Sequence, residues 1–326
     1  MSLIAGLNYA LFGIMIADSR LTWQKTAGTI KRDVCQKLFP FTGAGLMSWC
    51  GHVDTARFVM RLVVEEKDRS GPWFVLSPQR VLGVLNRSAL RSAPHGVCNL
   101  IVQLINPEET AFEGEYWPRI DMSVIEVRVN AAGAHVTAEP SLMSAQVRGS
   151  GSFVVNPMKQ DRFHAKIYGA SSAAPDLESA VINKALFAER EIRAYVEARR
   201  EETIGGLYQI AYLLKDRVRA ISYDRWVRCG GAMGTWATLA IRDGRSYQEH
   251  GPTSRSQLLM NPFVEPIEDD FGTDLLFELE RLSVSEAGMT KNSRRRVGSR
   301  FRSAHGVAGA PEFYRPLFVP SPPATD

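Results

Sequence analysis

The chain has 326 residues, of which 45% are hydrophobic and 23% charged, and its formal net charge is +4. This length and composition can bury a full core, which excludes a disordered chain and allows one large domain or two small ones. Because no apolar run is long enough to span a bilayer and no charged-then-apolar leader is visible, we expect a cytoplasmic protein without membrane contact.

Two short apolar runs open the chain. Leu3–Tyr9 and Ile14–Ala17 flank a turn near Phe12-Gly13, which predicts a tight hairpin of buried strands. The second run ends at Asp18, so the hairpin brings an acid to the end of a buried strand.

Ser2 directly follows the initiator methionine. Methionine is normally removed before a small side chain, and Ser2 would then carry both a hydroxyl and a free α-amine. An α-amine has a pKa of ~7.7–8.0, so it can accept the hydroxyl proton at neutral pH. This pairing predicts a nucleophile with its own base, although an ordinary Met-Ser start explains the same two residues.

Further along, Lys37 precedes the apolar run Leu38–Phe41, whereas Lys31 lies in a basic pair with Arg32. The turn Ser48–Gly51 then joins a strand to a helical run, Val53–Glu66. Backbone N–H groups at such a turn and the positive helix N-terminus can together hold an oxyanion. A helix cap by Asp54 explains this turn equally well.

Together, four segments resemble the N-terminal third of proteasome β-type N-terminal-nucleophile hydrolases, and most closely the bacterial ancestral β-subunit branch. With Ser2 at the nucleophile position, Asp18 falls on the family's first acidic residue without a gap. Serine replaces the usual threonine, the Asp18–Lys37 segment is longer than typical, and Cys50 stands where glycine is common. The four segments are Ser2–Leu7, Ile14–Arg20, Lys37–Pro40 and Cys50–Ala56.

The resemblance implies an α+β fold, a four-layer αββα sandwich, and hydrolysis of peptide amide bonds without a cofactor. Ser2 would attack the carbonyl, Lys37 would lower the hydroxyl's pKa, and Asp18 would orient the lysine. The N–H groups of Cys50 and Gly51 would receive the oxyanion. An exposed structural Lys37 and an Asp18–Arg20 ion pair remain open alternatives, and Lys31 is the alternative lysine.

The middle of the chain alternates between helical and strand patterns. Apolar residues at helical spacing predict helices over Val53–Glu66 and Ser77–Leu90. Val97–Ile105 reads as an apolar strand and Pro107–Met122 as a loop or short edge strand. A hairpin is predicted for Val124–Val129 and His135–Ala138.

Two Gly/Ser-rich turns resemble the one whose serine supports the nucleophile in this family. They contain Ser150 and Ser171. We favour Ser171, because a strand-like run, Phe163–Tyr168, precedes it and a helical run from Asp176 follows it, with Ser150 as the alternative. Either serine could instead cap a helix.

Helices are predicted for Asp176–Glu202 and Thr203–Tyr223, the first with a charged outer end, Glu189–Glu202, directed to water or a partner. Tyr223–Gly231 and the hairpin after it resemble the family's closing order of helix, acid, Gly-Gly and hairpin, with Asp224 as the second acid. Its spacing to Gly230 is longer than usual, and Cys229 replaces a serine. The hairpin strands are Thr235–Ile241 and Ser246–Glu249.

The cysteines and histidines are scattered singly. This spacing predicts neither disulfides nor a metal site. They are Cys35, Cys50, Cys98 and Cys229, with His52, His95, His135, His164, His250 and His305.

The expected organisation is a proteasome β-like domain over 1–250, including a helical segment 176–223, then an extension over 251–284. The tail, 285–326, is basic and rich in Pro, Gly and Ser, which favours a disordered, solvated segment or an arm on a neighbouring subunit over a nucleic-acid-binding arm.

By the same resemblance, the partners would be a peptide or protein substrate, identical subunits in a ring, and an unfoldase or other subunit. Two other functions remain open: a catalytically inactive structural subunit that keeps Met1, and an amidase acting on a small molecule.

Overall fold

The structure is a computed structural model and describes part of the chain. The described residues are 2–25, 28–33, 35–42, 45–70, 83, 94–112, 115–131, 133–141, 143–149, 157–170, 174–199, 203–215, 217–221, 223–229, 233–242, 245–250 and 255–259. The predicted helix over Ser77–Leu90, apart from Gly83, lies outside them, as do the tail and all of 251–284 except 255–259.

Strands outnumber helices in the described part of the chain. In chain order the elements are β1 (Leu3–Asn8), β2 (Phe12–Ala17), β3 (Arg20–Lys25), β4 (Gly28–Asp33), β5 (Leu38–Thr42), β6 (Gly45–Gly51), α1 (Val53–Ser70), β7 (Gly96–Phe112), β8 (Glu115–Asn130), β9 (Gly133–Ser141), β10 (Ala145–Gly149), α2 (Pro157–Gly169), α3 (Leu177–Arg199), β11 (Gln209–Leu214), β12 (Arg217–Ala220), β13 (Tyr223–Cys229), β14 (Met233–Arg242), β15 (Arg245–His250) and β16 (Arg255–Leu258).

Two five-stranded antiparallel sheets hold the core. The first sheet has the strand order β10-β1-β2-β11-β12 and the second has β5-β6-β7-β8-β9. β1 and β2 pair Ile4 with Ala17 and Asn8 with Gly13, which confirms the predicted opening hairpin. β3 pairs with β4, and β13 to β16 form a further sheet in sequence order. The chain is therefore a mixed α/β protein built on antiparallel sheets.

The two large sheets contact each other through one face each. Ile4 and Met15 of the first sheet share a buried cluster with Leu46 and Ile101 of the second, and this cluster contains no helical residue. The alternate residues of the same strands belong to a larger cluster with the helices. α2 and α3 contact the first sheet, and α1 contacts the second.

The structure corrects three predicted elements, each for a physical reason. The run Phe163–Tyr168 is not a strand, because it lies inside α2, where buried Phe163 and Ile167 are one helical turn apart. Thr203–Tyr223 is not a helix but contains β11 and β12. Every residue of β11 is buried, and all its side chains except that of Gln209 are hydrophobic, so no alternation of apolar and polar residues marks it as a strand.

The segment Pro107–Met122 is not a loop, because it belongs to the long β7–β8 hairpin. The register shifts between Asn106 and Glu109, which accommodates Pro107 as an irregularity in the strand pair. The predicted helices at Val53 and Asp176 are confirmed as α1 and α3, as is the β8–β9 hairpin.

The charged end of α3 is not wholly directed to water. Glu189 and Arg193 are buried and form an ion pair, and the Arg193 guanidinium lies 5.1 Å from the centre of the Tyr208 ring. The pair thus joins the helix to the segment before β11.

Candidate active site

The carboxylate of Asp18 collects four hydrogen bonds at the end of β2. Its Oδ1 accepts the backbone N–H of Leu3 at 2.8 Å and the Lys37 ammonium at 2.7 Å. Its Oδ2 accepts the backbone N–H groups of Arg20 at 3.2 Å and Gly205 at 3.4 Å. Asp18 is fully buried, and these donors offset the cost of removing its charge from water.

Lys37 is fully buried and is the lysine that reaches Asp18. Its ammonium also donates to the backbone carbonyl of Arg20. The alternative of an exposed structural Lys37 is therefore wrong. An ammonium has three N–H groups, and within the described residues the third one has no acceptor. Lys31 lies on β4 and makes no contact with Asp18 in the described part of the chain.

Ser2 lies directly before β1 with its side chain buried. The N–H that follows its carbonyl is the Leu3 donor to Asp18, so one carboxylate oxygen links Lys37 to the peptide bond after Ser2. The Ser2 hydroxyl makes no hydrogen bond to any described residue. The predicted nucleophile and its predicted charged neighbours therefore meet at one place.

Gly149 packs against Ser2 from the neighbouring strand, where it pairs with Leu3. Its φ is +87°, and a Cβ there would lie 2.0 Å from the Ser2 carbonyl oxygen and 3.1 Å from Cys50 Sγ. Ser2 and Cys50 therefore lie against the same glycine, and a side chain at this position would displace one of them.

Ser150 and Ser171 both lie outside the described residues, but their flanking elements are described. Ser150 follows a strand, β10, and precedes a helix, α2. Ser171 follows a helix, because the run before it belongs to α2. The order of a strand before the serine and a helix after it, for which we favour Ser171, is therefore found on the two sides of Ser150.

The turn after Cys50 has a backbone that requires glycine. Gly51 has a φ of +110°, and a Cβ would lie 2.1 Å from the Val97 carbonyl oxygen. That same oxygen accepts the N–H of His52 at 2.7 Å, which fixes the start of α1. The close approach of Gly51 to β7 thus sets where the strand ends and the helix begins.

His52, rather than the predicted Asp54, caps α1. Its Nδ1 accepts the backbone N–H of Thr55 at 3.4 Å and lies 3.0 Å from the Thr55 hydroxyl. Asp54 is exposed and pairs with Arg57 at 3.3 Å. Because a histidine caps the helix, the sequence signal for the cap pointed to the wrong residue.

The buried cysteines near the site are neutral thiols. Burial raises the pKa of Cys50 to about 12, although the nearby charge of Lys37 acts to lower it. Burial likewise raises the pKa of Cys35 to about 12. Because a thiolate is the nucleophilic form, Cys50 is a weaker candidate nucleophile than its position beside Ser2 suggests. The side chain of Cys229 is outside the described residues.

Arg20 does not pair with Asp18 through its side chain. Its guanidinium binds Asp33 with two hydrogen bonds of 2.7 and 2.9 Å, and both side chains are buried. A Cβ on Gly205 would lie 2.3 Å from the guanidinium carbon, and one on Gly206 2.2 Å from Ser19 Oγ. Gly205 and Gly206 therefore allow the chain before β11 to approach this ion pair closely.

The predicted second acid, Asp224, lies on β13, and its side chain is outside the described residues. β13 belongs to a sheet separate from that of Ser2. The order of helix, acid, Gly-Gly and hairpin that suggested Asp224 also occurs earlier. There it runs through α3, Glu201-Glu202, Gly205-Gly206 and the β11–β12 pair.

Gln209 is the residue of this site that the sequence prediction missed. Its Oε1 accepts the backbone N–H groups of Lys37 at 3.0 Å and Leu38 at 3.2 Å. Its Nε2 donates to the carbonyl oxygens of Cys35 at 2.9 Å and Asp18 at 3.4 Å. The available signal was a single amide within the apolar run around β11, which the helix prediction obscured.

No group of three or more His, Cys, Asp or Glu side chains suited to a metal ion occurs within the described residues. Among the helices described, none is both long and apolar enough to span a membrane.

No protein-family model matches this chain, and no curated protein matches it. Among solved structures, the chain is similar to eukaryotic HslV from Trypanosoma brucei. The TM-score is 0.38 and the sequence identity 13%, over 65% of this chain and 99% of that chain. A similarity this low carries no argument, so we argue the function from the residues themselves.

Proposed function

We propose that this chain is an N-terminal-nucleophile hydrolase of the proteasome β-like type, which hydrolyses peptide amide bonds with Ser2 after Met1 is removed. The observation that carries the proposal is the shared oxygen of Asp18, which binds both the Lys37 ammonium and the N–H next to Ser2. The positive charge of a lysine near a hydroxyl favours the ionised form of that hydroxyl.

In the proposed reaction, the Ser2 α-amine accepts the proton of Oγ as Oγ attacks the substrate carbonyl carbon. The positive charge of Lys37 stabilises the developing charge on Oγ, and Asp18 keeps the lysine charged and oriented. N–H groups at the Cys50-Gly51 turn bind the oxyanion. The amine then returns its proton to the leaving nitrogen, and water hydrolyses the ester formed on Ser2.

We further propose that the helices and the two large sheets form the four-layer αββα arrangement of this class. The contacts of α1 with the second sheet, and of α2 and α3 with the first, support this. We assign the supporting serine to Ser150, because Gly149 packs on the Ser2 carbonyl, and the second acid to Glu201 or Glu202. A ring of identical subunits and peptide or protein substrates complete the proposal.

A second candidate function is that of a catalytically inactive subunit with the same fold. Two departures from the family pattern favour it, because serine replaces the usual threonine at position 2 and Cys50 stands where glycine is common. Retention of Met1 would also block the α-amine. In this case the Asp18–Lys37 pair would serve only to fix the hairpin.

The test combines intact mass with turnover. We expect the purified protein to lack Met1, to hydrolyse fluorogenic peptide amides, and to gain one acyl group on Ser2 from a peptide electrophile. Ser2→Thr should retain turnover, and Ser2→Ala should abolish turnover and labelling without changing the thermal midpoint. Full retention of Met1, or unchanged turnover in Ser2→Ala, would falsify the hydrolase and leave the structural subunit.

A further inference from the structure

Gln209 lies where three separate segments of the chain meet at the candidate site. It is fully buried at the start of β11, an interior strand of the first sheet. Its two amide atoms bind backbone groups of the segment after β2, which carries Asp18, and of the segment before β5, which carries Lys37. Gln209 therefore bridges the backbones of these two segments.

We propose that Gln209 is a positioning residue, which holds the Asp18 carboxylate and the Lys37 ammonium in contact beside Ser2. The catalytic part of this proposal rests on the proposed function. The structural coupling between Gln209 and Lys37 can be measured even if the protein has no catalytic activity.

The geometry explains why an amide is needed at this position. Two neighbouring N–H groups, those of Lys37 and Leu38, point at one oxygen, while two carbonyl oxygens, those of Cys35 and Asp18, face the amide nitrogen. Only a group with an acceptor at one end and two donors at the other satisfies all four, and Gln has that inventory. Gln209 therefore fixes the backbone on both sides of the ion pair without contacting either charged atom.

The direction of the Lys37 side chain depends on the position of the Lys37 backbone. The Lys37 N–H is held by Gln209, and its carbonyl oxygen is held by the N–H of Trp49 on β6. The residue is thus anchored on one side to the first sheet and on the other to the second. If the first anchor is lost, the Lys37 backbone can move relative to Asp18, and its ammonium moves with it.

Gln103 provides a matched control. It is also a fully buried glutamine, and its Nε2 donates to the carbonyl oxygens of Leu7 at 2.9 Å and Ile14 at 3.4 Å, away from Ser2 and Lys37. Replacing either glutamine with methionine removes a buried amide of the same size. Only Gln209→Met removes one that binds the segments of Asp18 and Lys37.

The experiment is a double-mutant cycle on the full chain, measured by urea unfolding. The effects of Gln209→Met and Lys37→Met on the free energy of unfolding should be non-additive, because Lys37→Met removes the ammonium that Gln209 positions. Gln103→Met and Lys37→Met should be additive. Additivity in both cycles would overturn the proposal. Should Gln209→Met not fold, Gln209→Glu, which keeps the acceptor oxygen, is used in the same cycle.

Turnover gives the second readout. We expect Gln209→Met to lower kcat for a peptide amide by roughly 10- to 100-fold with little change in KM, because the charge beside Ser2 is displaced. Gln103→Met should leave kcat per folded molecule unchanged. Equal kcat values in the two variants would also overturn the positioning role. A wild-type protein without any amide turnover would refute the proposed function, while the unfolding cycle would still decide the coupling.

Discussion

Removing the charge of Lys37 gives the sharpest test of the site. Lys37→Met keeps the length of the side chain but leaves the Asp18 carboxylate buried without a counter-ion, since both side chains are fully buried in the structure. Breaking a buried ion pair from one side costs ~3–5 kcal/mol, because the remaining charge is uncompensated. We therefore expect a loss of that size in unfolding free energy, together with loss of amide turnover.

The second arm of this test removes the charge of Asp18 as well. In Asp18→Asn/Lys37→Met no uncompensated charge remains, and one amide oxygen can still accept the N–H groups of Arg20 and Gly205. The unsatisfied Leu3 N–H then costs about 1–3 kcal/mol. The double variant should therefore be more stable than Lys37→Met and equally inactive.

Both arms are measured by urea unfolding and by hydrolysis of a fluorogenic peptide. Lys166→Met is the control, because the Lys166–Glu191 pair is largely exposed on the lysine side and such pairs contribute ~0–1 kcal/mol. The reasoning is refuted if Lys37→Met costs no more than Lys166→Met, or if the double variant is less stable than Lys37→Met. Retained turnover in Lys37→Met would refute the role of its charge.

Two further predictions concern the surroundings of Ser2. Gly149→Ala should destabilise the protein by more than ~1–2 kcal/mol and abolish turnover, because its φ is positive and its Cβ would meet the Ser2 carbonyl. Gly169→Ala, with open space around its Cβ, should have little effect, and similar losses in both variants would contradict the packing. Cys35 and Cys50 should resist alkylation in the folded protein and react in urea, and rapid native labelling would contradict their burial. Since burial raises their pKa from 9.0 to about 12, unfolded thiols ionise first, and stability should fall as pH rises through that window but stay constant below it.

The sequence was sufficient to predict local structure and site residues where the hydrophobic pattern and the chemistry of the side chains point to the same conclusion. The opening hairpin was predicted because apolar runs flank a turn, and the structure pairs those strands. Lys37 was preferred over Lys31 because it precedes an apolar run, and a lysine beside buried strands can reach a buried acid. The structure places it on Asp18.

Other features depend on tertiary contacts that no local pattern contains. The strand β11 is buried along its whole length, so its sequence does not alternate between apolar and polar side chains. Without that two-residue period, the sequence could not distinguish this strand from a buried helix. The role of Gln209 then follows only from knowing which segments flank that strand. In α2, the spacing of Phe163 and Ile167 fits a helix, but an alternating short run around them also fits a strand.

The energetics of the Asp18–Lys37 pair bear on the choice between the two candidate functions. A buried ion pair gives little or no net stability, because desolvation of both charges cancels their attraction, and apolar residues of similar volume are often as good. In a catalytically inactive subunit, an apolar pair at the base of the first hairpin could therefore give as much stability as the charged pair. A hydrolase requires that charge beside its nucleophile. The buried charge of Lys37, held by the same Asp18 oxygen that binds the Leu3 N–H, is thus an argument for the proposed hydrolase.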